Sequence, residues 1–243
     1  MLFPLLVLCG CGAWFISTIA AGGAATLLVP VLSFLLGAQL VAPVLSVASI
    51  CANPSRAWLF REHIDWAVLV WLIPGSLLGA GIGSWTLTRL DPRVIEIILG
   101  LFLLAMVLNN RIGGHRLPFR MQRPLFLPLA ATASFLSGLI GATGPILNPF
   151  MLHYGLEKET LVATKSLNSL LMQITKISSY ALFGLLTVKT GLYGVLLGLG
   201  AVTGIHMARR HLLCIDLQRF RAYTLALMGV AGLLLLARGL NTL

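Results

Sequence analysis

Charge is what this sequence has least of, and acidic charge least of all. Charged residues are 10% of its 243, with 17 Lys+Arg against 7 Asp+Glu. A soluble domain carries roughly 25%. So few charges cannot clothe a soluble body of this size. Disorder is excluded from the other side, because 58% of the residues are hydrophobic. The acids Glu62, Asp65, Asp91, Glu96, Glu157, Glu159 and Asp216 all fall at or near loops between apolar runs. A buried carboxylate relay or a mid-membrane cation site therefore has little support. The 4 cysteines, Cys9, Cys11, Cys51 and Cys214, make no disulfide framework and are read as small apolar packing residues. Cys9-Gly10-Cys11, with no histidine nearby, is a weak metal pair. The sequence has no HExxH, GxSxG or P-loop lysine motif, and no paired carboxylates suited to a membrane transferase. Neither an enzyme nor a cofactor is implied.

What is there is a polytopic membrane protein. Long apolar runs occupy 2–20, 40–59, 65–88, 94–109, 125–141, 160–186, 190–207 and 221–237. A span needs about 20 residues. No Lys or Arg precedes residue 2, so the first run is read as a membrane helix rather than a cleaved signal. Two shorter runs, 24–37 and 143–155, each follow or contain a small-residue stretch and carry proline (Pro30; Pro145 and Pro149). They read as half-length or broken helices. The net charge of +10 sits in short loops, which points to the positive-inside rule and not to nucleic acid. With ten crossings, a cytoplasmic basic loop 111–123 puts Arg56, Arg61, Lys158, Arg209, Arg210, Arg219 and Arg221 inside as well. Arg89, Arg93, Lys189 and Arg238 stay outside. Both ends of the chain are then external, and each half has five crossings of opposite sense.

The halves resemble each other. Gly22-Gly23-Ala24-Ala25 through Pro30 aligns with Gly141-Ala142-Thr143-Gly144 through Pro149, an offset of 119, and Asn53, Ser55 and Arg56 align with Gln173, Thr175 and Lys176, an offset of 120. The expected fold is all-α, with about ten segments as two inverted repeats (1–110 and 124–243), each holding one short broken helix. Weak inverted repeats with paired broken helices point to a secondary transporter whose site lies between them near mid-membrane. A helix starting just after a glycine turn aims its free amides at such a cavity. The expected substrate contacts are therefore Gly22, Gly23 and Ala24 in one half and Gly141, Thr143, Gly144 and Asn148 in the other. Ser46, Asn53, Ser166 and Gln173 add uncharged polar groups. Arg56, Lys165 and Lys176 add positive charge, although Lys165 and Arg56 lie close enough to the cytoplasmic ends to snorkel. His153 and His206 lie within or near spans and could take a proton, the plainer reading being a hydrogen-bonded histidine. Gly75, Gly79 and Gly83 are read as close helix packing, with counterparts in Gly194, Gly198, Gly200 and Gly204.

The doubled Gly-rich/Pro element, together with His63-Ile64-Asp65-Trp66 leading into Pro74-Gly75, resembles the sulfite exporter TauE/SafE family of membrane permeases over nearly the whole chain. That resemblance implies export of a small sulfur-containing or organic anion, such as sulfite or a sulfonate, across the bacterial inner membrane. The partners it implies are that anion and the lipid bilayer, with a homo-oligomer left open. A drug/metabolite-type transporter of a neutral or cationic solute would also fit a five-plus-five arrangement. So would a membrane scaffold without flux.

Overall fold

A computed structural model of the chain describes residues 2–19, 24–59, 61–112, 121–142, 146–210 and 217–241. All regular structure among them is helical. The helices are α1 (Leu2–Ile19), α2 (Ala24–Leu36), α3 (Ala38–Leu59), α4 (Trp66–Arg89), α5 (Pro92–Ile112), α6 (Phe126–Ile140), α7 (Asn148–Tyr154), α8 (Lys158–Leu182), α9 (Val188–Arg210) and α10 (Leu217–Asn241). Short 3₁₀ turns at Arg61–His63 and Arg123–Leu125 precede α4 and α6.

Each apolar run holds a helix among its described residues, and the two short runs hold short ones. Helix α2 has 13 residues and α7 has 7. At 1.5 Å per residue, even α2 reaches only about 20 Å, less than the roughly 30 Å of hydrocarbon in a bilayer. Pro30 lies inside α2 without ending it. The chain turns from α2 into α3 at Gly37, whose φ of 90° would strain any L side chain. Most helices have no polar face, and Leu8, Leu78, Ile82, Leu182 and Val188 project outward. Helices apolar all round belong in a lipid environment. Three segments among the described residues are long and apolar enough to cross a membrane: Trp66–Arg89, Arg123–Ile140 and Val188–Ala208.

Small residues decide how the helices meet. Along α4, Gly75, Gly79 and Gly83 lie against the backbone of Leu127, Ala131 and Phe135 of α6. A methyl group at any of the three would land inside a carbonyl oxygen of α6. Along α9, Gly200 and Gly204 lie in the same way on Val7 and Cys11 of α1, and Gly10 returns the contact on Leu197. Residue numbers rise together across both seams, so α4 runs parallel to α6 and α1 to α9. The packing expected of the glycine ladder is thus found. Its second-half counterparts divide their work, since Gly194 and Gly198 pack on Val47 and Cys51 of α3 instead. Helices α5 and α10 pack antiparallel, Gly100 against Gly232 and Ile97 against Gly239. Helix α8 sits between α3 and α4.

Candidate functional site

The site is built on α8, because α8 places its polar side chains toward other helices. At about 100° per residue, Lys165, Ser169, Gln173, Lys176 and Tyr180 form one stripe along it, and Asn168 lies on the α4 side. Each end of the stripe is pinned. The Thr164 hydroxyl accepts the Asp65 backbone N–H at 2.9 Å, and Asp65 itself caps α4 by accepting the Val68 N–H at 3.0 Å. The start of α4 and the first turns of α8 are thereby held together. At the other end the Tyr180 hydroxyl donates to the Gly138 carbonyl of α6 and sits beside Ser46 of α3.

Between these ends, each contact goes to a different helix. Asn168 Nδ2 donates to Ser76 Oγ of α4 at 2.9 Å, and Asn53 Nδ2 of α3 donates to Ser169 Oγ at 3.0 Å. Lys176 Nζ donates to Ser137 Oγ of α6 at 3.2 Å. With Asn53 on Ser169 and Ser46 beside Tyr180, α3 and α8 run in opposite directions. Lys176 is fully buried, and it is the one lysine or arginine so buried among the described residues. An isolated buried ammonium costs several kcal/mol, and one hydroxyl repays only part of that. Among the described residues no carboxylate pairs with it; the His63–Glu159 pair at 3.5 Å joins exposed side chains near the start of α8. Two further polar atoms on α8 are buried without a hydrogen-bond partner, Asn168 Oδ1 and Gln173 Oε1.

Several expected contacts meet around α8: Asn53, Gln173 and Lys176, with Ser46 one step away and Ser166 buried nearby on the same helix. Lys165 does not simply snorkel. Its amine donates to Asn148 Oδ1 at 2.7 Å, joining α8 to the first residue of α7. Ser46 spends its hydroxyl on the Ala42 carbonyl at 2.7 Å. Gly141 ends α6 with φ 85° and lies against Ala42 of α3, so its geometry serves a helix cap and a close approach. Ala24 is buried at the start of α2. Gly22, Gly23, Thr143 and Gly144 lie outside the described residues, as do the Arg56 side chain, Cys214 and most of the basic loop 111–123. His206 bonds the Val202 carbonyl of its own helix and is exposed, and His153 is exposed.

Sequence reasoning missed Ser76, Ser137 and Tyr180. A signal existed for one of them. Ser17 and Ser137 stand 120 residues apart, the same offset as Arg56 and Lys176. Ser17 is buried near the end of α1, its hydroxyl without a partner. Ser76 and Tyr180 matter only because another helix passes them.

The sequence model of one protein family, described as sulfite exporter TauE/SafE, matches residues 6–235 of the chain. No curated protein and no solved structure matches it.

Proposed function

Because the chain belongs to the sulfite exporter TauE/SafE family, we propose that it is a secondary permease carrying a small sulfur-containing or organic anion out across the bacterial inner membrane, with no enzymatic activity. The observation that carries this reading is Lys176, a fully buried amine with a single hydroxyl partner inside an apolar helical body. A buried cation of this kind is a functional group by default, because packing alone would favour a methionine. An anion beside it would offset its charge. Ser137, Ser169, Asn53 and Gln173 supply hydrogen bonds of the kind an oxyanion needs.

The helix pairs support an inverted repeat. Exchange α1–α5 with α6–α10 in order. The parallel pair α1–α9 becomes α6–α4, also parallel, and α3–α9 becomes α8–α4. The pairs α3–α8 and α5–α10 map onto themselves and are antiparallel, as a two-fold axis lying in the membrane plane requires. In this reading the units α4–α6 and α1–α9, each made of one helix from either half, rock about α3 and α8 and expose the anion to one side at a time. Lys176 is closed to solvent in the described arrangement, so access needs such a movement. Export follows the inside-negative potential, worth about 2.3 kcal/mol per charge per 100 mV.

The test is counterflow in proteoliposomes with sulfite against a cationic amine. Sulfite flux is expected, and Lys176→Met is expected to reduce it at least about 100-fold, since a close charge pair in such a site is worth about 3 kcal/mol or more. Flux of the amine alone would replace this reading with a cation transporter. Absence of any flux from the wild type would favour a scaffold.

A further inference from the structure

We infer that the cargo carries a hydrogen-bond donor of its own beside its anionic group, and that the Gln173 carboxamide reads it. The inference rests on the anion-permease reading and narrows it to a class of substrate. Gln173 precedes Lys176 by three residues, so the two side chains leave α8 as neighbours, about 5–6 Å apart at Cβ. Gln173 is 4% exposed, and its Oε1 is buried without a partner. Asn168 is 4% exposed and its Oδ1 is in the same condition. A buried amide oxygen left unpaired costs about 1–3 kcal/mol, and folded proteins retain few of them. Here two stand on the helix that carries the buried lysine.

Both orphan atoms are acceptors. An oxyanion stripped of protons offers only acceptors, so it would satisfy Lys176 Nζ and turn its lone pairs on the amide oxygen. An anion that keeps an O–H or N–H next to its charged group answers both demands. Its oxygens take the lysine amine and a serine hydroxyl, and its donor goes to Gln173 Oε1. Turning the carboxamide over presents its NH₂ to the anion and removes the demand for a donor, an arrangement that equal affinities within the matched pairs below would reveal. Hydrogen oxyanions and small hydroxy- or amino-substituted sulfonates and carboxylates have this pattern. Their alkyl isosteres do not.

Two matched pairs of anions test the rule on the purified full-length protein by calorimetric titration: isethionate against propane-1-sulfonate, and glycolate against propionate. Each pair exchanges a hydroxyl for a methyl at constant charge and nearly constant shape. The wild type is expected to bind the hydroxyl member of at least one pair about 10-fold or more tighter. Gln173→Leu is expected to bring that member down to the affinity of its isostere. Gln173→Met, with an unbranched side chain of similar length, serves the same purpose if the leucine variant does not fold. Equal affinities within both pairs for the wild type, or a preference that survives both substitutions, would overturn the inference and leave the permease reading intact. If neither hydroxyl anion binds while sulfite, held at a pH where it carries no proton, does, the inference also fails. If sulfite fails to bind as well, both readings fall together.

Discussion

The α4–α6 seam and the polar stripe of α8 are both buried, but by opposite means. The seam is backbone on backbone, with Gly75, Gly79 and Gly83 leaving no side chain between the helices. The stripe reaches across gaps with side chains, each held by one hydrogen bond to a different helix. In lipid, where no hydrophobic effect drives helices together, close van der Waals contact is the firmer attachment and a polar side-chain bond the weaker. The difference assigns mechanical roles. The α4–α6 and α1–α9 seams bind pairs of helices from different halves into stiff units. In the proposed permease cycle the α8 contacts are the ones that break and re-form as those units move.

The largest effect expected from breaking this comparison is at Gly79. Gly79→Val forces a branched side chain into the Ala131 backbone, which has no rotamer by which to yield. A loss of about 3 kcal/mol or more is expected, read as loss of the folded monodisperse species in detergent. A Gly79→Val protein with wild-type thermal stability would show that the seam is not tight.

A middle-sized effect tests the stripe. In a double-mutant cycle of Asn168→Leu and Ser76→Ala, the coupling is expected to be only about 0.6–1 kcal/mol by thermal denaturation. A coupling of several kcal/mol would make the stripe as rigid as the seam and remove the contrast.

The smallest effect is at Gly81, on the same helix as the seam glycines but with open space where its Cβ would go. Gly81→Ala is expected to leave the fold intact and to add up to about 1 kcal/mol of stability by helix propensity. Destabilisation there would mean that the face between the seam glycines is covered by something else.

The same contrast explains what was legible in the sequence. A glycine at every fourth position is a one-dimensional pattern, and the close packing read from Gly75, Gly79 and Gly83 is the packing found. Lys176 could be singled out because a lysine deep in an apolar run is expensive wherever it points. Lys165 could not be resolved so easily. Its place near the end of its run suggested snorkelling, and only the approach of α7 showed that Asn148 takes its amine. Ser76, Ser137 and Tyr180 carried no local signal beyond the offset shared by Ser17 and Ser137. A serine in a membrane helix usually bonds its own backbone, as Ser84 does to the Ala80 carbonyl.

The sequence by itself determined that this chain is a bundle of apolar helices with two short ones, since scarcity of charge and the length of each apolar run act locally along the chain. It also marked a lysine that needed a reason. Which hydroxyl meets that lysine, which helices run parallel, and which amide oxygens are left without partners depended on segments far apart in the chain arriving side by side. Only the tertiary structure decided them, because a hydrogen bond between helices is a property of two surfaces and is encoded in neither one alone.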